Sequence, residues 1–97
     1  MRIMTVCTTS FGFNGITGVI MNYFENIEGR DVAMDFVVIN DVDDGLKERI
    51  KIKSDNLSRP SKIYKIQGRN KNPFGYIKKL TRILKEGNYD IVHIHGN

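Results

Sequence analysis

Apolar stretches rich in β-branched residues alternate along the chain with stretches whose apolar residues recur every three or four positions. The first kind predicts four strands, at residues 2–8, 34–40, 62–66 and 89–95. The second kind predicts two long helices, at residues 16–27 and 73–87, and acidic-to-basic polarity favours a short surface helix within residues 41–53. Strands that alternate with helices are typical of an α/β fold with right-handed crossovers. We therefore expect a partial, Rossmann-like doubly wound parallel sheet with about four strands and two long helices, the third strand lying near an edge.

The ends of the two long helices carry capping residues. Asn14 or Thr17 can cap the start of the first helix. Asn72 and Pro73 occupy the N-cap and first-turn positions of the last helix, and Gly87 is its expected C-cap. The apolar residues of that helix form one stripe, which we expect to face the sheet: Pro73, Tyr76, Ile77, Leu80, Ile83 and Leu84.

The composition is that of one ordinary globular domain. The 97 residues are 40% hydrophobic and 27% charged, and no apolar stretch approaches the ~20 residues that span a bilayer. Cys7 is the single cysteine, which excludes a disulfide framework and favours a reducing compartment, so a cytoplasmic location is expected. The sequence ends at the carboxyl end of the last predicted strand, which we expect to be buried, at a point where a doubly wound fold normally turns into another helix. We therefore expect the chain to be a fragment.

The net charge of +4 hides an uneven distribution. Thirteen basic residues and two acidic ones lie between Lys47 and Lys85, a local net charge of +11, while the rest of the chain is net −7. Such a segment indicates an anionic partner, namely phosphate, nucleic acid or a membrane surface; a solvated face of ordinary surface lysines is the alternative.

Candidate chemistry concentrates at the carboxyl ends of the predicted strands. The loop from Gly12 to Gly15 joins the first strand to the first helix, where backbone N–H groups and the helix dipole can hold an anion such as phosphate; a glycine needed only for the turn is the alternative. His93 and His95 share one side of the last strand, and His95 lies nearer the rim where open α/β sheets bind ligands. Because no third ligand has suitable spacing, the histidines do not predict a metal site.

Three further side chains lie near this loop. We expect Cys7 to be a buried, apolar thiol, since no basic neighbour in the sequence lowers its pKa. Phe11 and Phe13 flank the loop's first glycine, where they either cover a ligand or pack the top of the sheet.

The order of these parts resembles glycosyltransferases of the GT-B fold, specifically glycosyl transferase family 4. Residues 13–23, Phe-Asn-Gly-Ile-Thr-Gly-Val-Ile-Met-Asn-Tyr, resemble the loop that opens the family's first helix. Residues 89–96, Tyr-Asp-Ile-Val-His-Ile-His-Gly, are similar to its signature strand, and residues 34–39 and 72–74 resemble its second strand and the start of a later helix. The likeness covers essentially the whole chain in order, and Asn14 stands where the family often has its first glycine.

The resemblance implies a retaining transferase that moves a sugar from a nucleotide-sugar donor to a polysaccharide or lipid-linked acceptor, without a metal or other cofactor. Residues 1–97 would be the N-terminal, acceptor-side part, and the donor domain, with its Glu-x7-Glu motif, would lie outside this sequence. His95 would line the cleft as a catalytic residue. The start of the first helix would bind substrate, through Asn14, Gly15, Ile16 and Thr17.

A lipid-linked acceptor would also place the protein at the inner face of a membrane. The expected contact with an anionic membrane surface is made by basic residues of the last helix: Lys78, Lys79, Arg82 and Lys85.

Two other classes of function compete with this interpretation. A small flavodoxin-like or receiver-like binding module has the same alternation of elements, but a receiver needs an acidic cluster after the first strand, where this chain has Thr8, Thr9 and Ser10. A basic nucleic-acid-binding protein would use the basic segment, but no helix-turn-helix, RNA-binding or zinc signature is present. We therefore expect no nucleic-acid partner.

Overall fold

The computed structural model describes residues 1–12, 14–66 and 71–95. The elements follow in the order β1 (Arg2–Cys7), α1 (Gly15–Asn26), β2 (Ala33–Val38), α2 (Asp44–Ser54), β3 (Ile63–Lys65), α3 (Pro73–Gly87) and β4 (Ile91–His95). The strands form one sheet in the order β3-β2-β1-β4, and every pairing is parallel. The predicted α/β fold is confirmed, including the position of the third strand at an edge.

The sheet is covered on both faces, as a doubly wound fold requires. Helices α1 and α2 pack on one face, where the ring of Phe36 meets Phe24 edge-on at a centroid distance of 5.2 Å. Helix α3 packs on the other face, where Tyr76 lies against Met4 and Val37. No helix in the described ranges has the length and apolar character needed to cross a bilayer.

Polar side chains cap the helices much as the sequence predicts. The side-chain oxygen of Asn72 accepts a hydrogen bond from the N–H of Gly75 at 3.1 Å, at the start of α3. The predicted C-cap is wrong by one residue, because Gly87 still belongs to the helix and Asn88 caps it with a φ of 51°. Asparagine tolerates this left-handed conformation, so glycine is not needed there. Gly87 is required instead by close packing, since a Cβ at this position would lie 2.1 Å from the ring of Tyr89.

Two apolar expectations fail. The predicted apolar stripe of α3 is wrong at Pro73, which is exposed, and at Ile77, which is 60% exposed and which the helix turns about 100° away from Tyr76. Strand β4 is an edge strand rather than a buried one, and Ile94 is 69% exposed. In the described part of the chain, no strand pairs with the outer side of β4.

A buried carboxylate, that of Asp35, joins several segments of the chain at the amino end of the sheet. Asp35 of β2 is completely buried and accepts hydrogen bonds from both terminal nitrogens of Arg59, at 2.7 and 2.6 Å. The Lys62 N–H donates to it at 2.8 Å, and the Tyr89 hydroxyl also donates to it. Burial alone would raise the pKa of Asp35, but these hydrogen bonds outweigh burial and hold the pKa below its usual value.

Candidate functional site

The loop between β1 and α1 is held by two of the predicted site residues. Asn14 is the N-cap of α1: its Oδ1 accepts from the Thr17 N–H at 2.9 Å, and its Nδ2 donates to the carbonyl of Ser10 at 2.8 Å. The Oγ1 of Thr17, a buried residue, accepts from the Gly12 N–H at 3.0 Å. The side chains of Asn14 and Thr17 are therefore engaged in shaping the loop, and a ligand would meet mainly backbone groups here.

Two backbone N–H groups at the start of α1 have no acceptor among the described residues. No hydrogen bond within the described residues uses the N–H of Gly15 or Ile16, whereas the N–H of Gly18 bonds to the carbonyl of Asn14 at 3.1 Å. These are the first two helical positions, where the N–H groups have no partner in the helix and the dipole is positive. Gly15 is exposed. The pair of N–H groups is the arrangement that binds phosphate or another anion.

The glycines of this loop do not have the left-handed backbone conformation that a tight turn can require of glycine. Among the described glycines, Gly29, after α1, has a positive φ of 124°, and Gly12 and Gly15 do not. A Cβ added at Gly12 or Gly15 would meet no atom within 4 Å. A side chain would therefore fit at either position, so the described part of the loop does not require glycine there.

A shallow cavity of about 310 Å³ opens beside this loop, between α1 and α2. It is lined from the first helix by Asn14, Thr17, Gly18 and Met21, and from the second by Leu46 and Arg49. The Arg49 guanidinium pairs with the carboxylate of Glu25. Sequence reasoning missed Arg49 as a neighbour of the loop, because its contact with α1 joins residues that are 24 positions apart.

His95 lies at the same edge of the sheet but outside this cavity. Its carbonyl accepts hydrogen bonds from the N–H of Thr8 at 2.9 Å and from the Thr8 hydroxyl at 3.0 Å, which ties the end of β4 to the start of the loop. Because β4 and β2 flank β1 on opposite sides, the imidazole lies on the far side of β1 from the cavity. Burial, and then the nearby His93, lower the pKa of His95 from 6.5. The imidazole is therefore neutral at pH 7.

The neighbouring side chains have structural roles. The His93 ring packs against that of Tyr23 on α1, at a centroid distance of 5.6 Å. Cys7 is buried as expected, and burial raises the pKa of its thiol to about 12, so it is not a thiolate at neutral pH. Phe11 is buried and packs edge-on against Phe36 at 5.8 Å, while Phe13 lies outside the described residues.

The structure thus brings four of the predicted site residues together and leaves one apart. Asn14, Gly15, Ile16 and Thr17 form the start of α1. His95 lies one strand away and shares with them the carboxyl edge. In the ranges that the structure describes, no cluster of three or more possible ligands could hold a metal ion. Comparisons of the chain with models of protein families, with curated protein sequences and with solved structures find no match.

Proposed function

We propose that the chain is the acceptor-side opening part of a glycosyltransferase that uses a nucleotide-sugar donor. The sequence resemblance described above gives the reaction class. The carboxyl edge supports the proposal because it offers an open, capped helix start of the kind that binds the phosphate of a leaving nucleotide. The observation that carries the proposal is the pair of N–H groups at Gly15 and Ile16, which have no acceptor among the described residues.

In the proposed reaction, these N–H groups stabilise negative charge on the diphosphate as the bond to the sugar breaks. Fixed backbone donors need no reorganisation during the reaction, which is why such groups stabilise transition states well. The neutral imidazole of His95 would donate or accept a hydrogen bond at a sugar hydroxyl of the acceptor. Groups that hold the donor's base and sugar would belong to the second domain, outside these 97 residues.

Two substitutions at Gly15 test the role of its N–H group. Proline is well tolerated at the first helical position and removes this donor, whereas alanine keeps it. Because a Cβ at this position meets no protein atom, we expect both variants to fold with melting temperatures close to that of the parent. Loss of one hydrogen bond to a charged phosphate should weaken binding about tenfold or more in Gly15→Pro, while Gly15→Ala should keep most of the affinity.

The measurement is calorimetric titration of the parent and both variants with a panel of nucleotide sugars, with flavin mononucleotide as the comparison ligand. We expect binding of nucleotide sugars without release of nucleoside diphosphate, because one domain does not hold both reactants in position. Equal affinities of the proline and alanine variants would contradict the role of the N–H. Tighter binding of the flavin would favour the flavodoxin-like alternative, and release of nucleoside diphosphate by the chain alone would overturn the division into two domains.

A further inference from the structure

We propose that the outer face of α3 docks on an anionic lipid bilayer, with Phe74 and Ile77 inserted among the headgroups. We call this surface the α3 outer face and define it by six exposed residues: Phe74, Ile77, Lys78, Lys79, Arg82 and Lys85. The proposal rests on the charge and exposure of these residues and is independent of the proposed glycosyl transfer.

The cations of the α3 outer face are available to a partner. All four are exposed, and none takes part in the ion pairs formed within the described ranges, which involve Glu25, Asp35 and Asp41. Lys78 and Arg82 are four residues apart, so they lie one above the other on the helix surface. A surface that concentrates positive charge without internal partners complements a layer of anionic headgroups.

Apolar side chains accompany these charges. Phe74 is 87% exposed and Ile77 is 60% exposed. They lie three residues apart on the first two turns of α3, and Lys78 follows directly. Side chains of this size are normally removed from water, so their exposure beside lysines marks a contact surface.

The combination favours lipid over nucleic acid. A helix that lies in the headgroup region places aromatic and aliphatic side chains at the acyl boundary, while its lysines extend their charged ends back to the phosphates. Ile77 has no flat ring to stack on a base and no group to hydrogen-bond one. The opposite face of the sheet carries a useful comparison in α2, where Ile52 is 59% exposed among lysines but Asp44 and Glu48 offset part of their charge, whereas α3 has one acidic residue, Glu86.

The test is co-sedimentation of the chain with vesicles of phosphatidylcholine alone and with vesicles that contain about a third of phosphatidylglycerol. We expect binding to the anionic vesicles that weakens as salt is added. The double variant Lys78→Gln/Lys79→Gln should lower the partition coefficient by about fivefold for each charge removed, and Phe74→Ala should lower it by about tenfold. The matched controls on α2, Lys47→Gln/Lys51→Gln and Ile52→Ala, should stay within about twofold of the parent.

Thermal melts establish that each variant is folded before the binding data are compared. Equal binding to neutral and anionic vesicles, or no binding to either, would overturn the proposal. So would equal losses in the α2 and α3 variants. If a fluorescent single-stranded RNA bound the chain and competed with the vesicles through Lys78 and Lys79, while Phe74→Ala had no effect on vesicle binding, the surface would be one for nucleic acid instead.

Discussion

Asp35 joins three segments of the chain through its carboxylate. Its hydrogen bonds reach Arg59 and the Lys62 N–H ahead of β3, and Tyr89 in the connection between α3 and β4. Burial, followed by the hydrogen bond to Asp35, raises the pKa of Tyr89, so the phenol stays protonated and donates to the carboxylate. A buried charge is tolerated only when it is paired in this way.

We therefore expect Asp35→Asn to destabilise the fold by about 3 kcal/mol, because it leaves the half-buried Arg59 without its partner. Tyr89→Phe should cost only about 1 kcal/mol, since one hydrogen bond is lost while the carboxylate keeps the others. The control is Asp41→Asn, which breaks the exposed pair with Lys65 and should leave the melting temperature unchanged. Urea denaturation of the three variants measures these differences, and a similar loss in Asp35→Asn and Asp41→Asn would contradict the assigned role.

The hydrogen bonds of Asp35 also determine whether the stability of the fold rises or falls with pH. Because the pKa of Asp35 is lowered by folding, its contribution to stability is complete above the ordinary aspartate pKa of about 4 and is lost progressively as the pH falls from that value through the lower pKa of the folded state. The parent should therefore lose stability faster than Asp35→Asn as the pH is lowered from 5 to 3. Parallel curves of melting temperature against pH would contradict this expectation.

Local signals in the sequence identify residues that act on near neighbours, and they miss residues that act across the fold. Asn14 was predicted as a cap from its position just before an amphipathic stretch, and its partner Thr17 lies three residues away. Asp35 lies within an apolar strand, and this position alone indicates a buried charge that needs a partner. Its partners lie 24 and 54 residues along the chain, however, so no local pattern names them.

At the scale of elements, the carboxyl end of β4 is held by hydrogen bonds, whereas one face of the strand is exposed to solvent. Thr8 fixes its carboxyl end through the carbonyl of His95, while Val92 and Ile94 are exposed on the α3 side. His93 and His95 face the other side, beneath α1, with ring centroids 6.2 Å apart. The two histidines therefore share a face but differ in their neighbours.

Substitution of each histidine by alanine separates these roles. His93→Ala removes the ring contact with Tyr23 and should lower the melting temperature. His95→Ala leaves the carbonyl bonded to Thr8 and should change the melting temperature little, while lowering turnover in the proposed glycosyltransferase. Differential scanning calorimetry and a turnover assay measure the two effects. Full activity of His95→Ala, or an exchange of the two phenotypes, would contradict the placement of His95 at the cleft.

The pattern of apolar residues predicted every element of the described chain, but not which elements cover one another. Periodicity places Ile77 on the apolar side of α3, because it reports only the angle around the helix axis. Whether a side chain at that angle is buried depends on which elements pack against the helix, and a helical repeat does not contain that information. The same reasoning explains why the apolar sequence of β4 predicted a buried strand, although in the described residues it pairs on one side only.

At the scale of the whole molecule, the two ends of the sheet have different characters. The carboxyl edge has backbone donors at Gly15 and Ile16 with no acceptor among the described residues, and an open cavity toward α2. The amino end has a second, more polar cavity of about 320 Å³, whose lining includes Arg2, Arg59 and Lys62. Arg59 there is neutralised by Asp35, and one nitrogen of Arg2 donates to the carbonyl of Gly87, so both side chains already serve the fold. We therefore assign ligand binding to the carboxyl edge.

The most direct test of that assignment is a titration of the isotopically labelled chain with nucleotide sugars, followed by the NMR shifts of individual backbone N–H groups. We expect the largest shifts at Gly15 and Ile16, with smaller shifts at Thr8, next to His95. Gly15→Pro should need about ten times more ligand to reach the same shift at Ile16, while Gly15→Ala should titrate close to the parent. Largest shifts at Arg59 and Lys62, at the opposite end of the sheet, or no shifts at saturating ligand, would contradict the account.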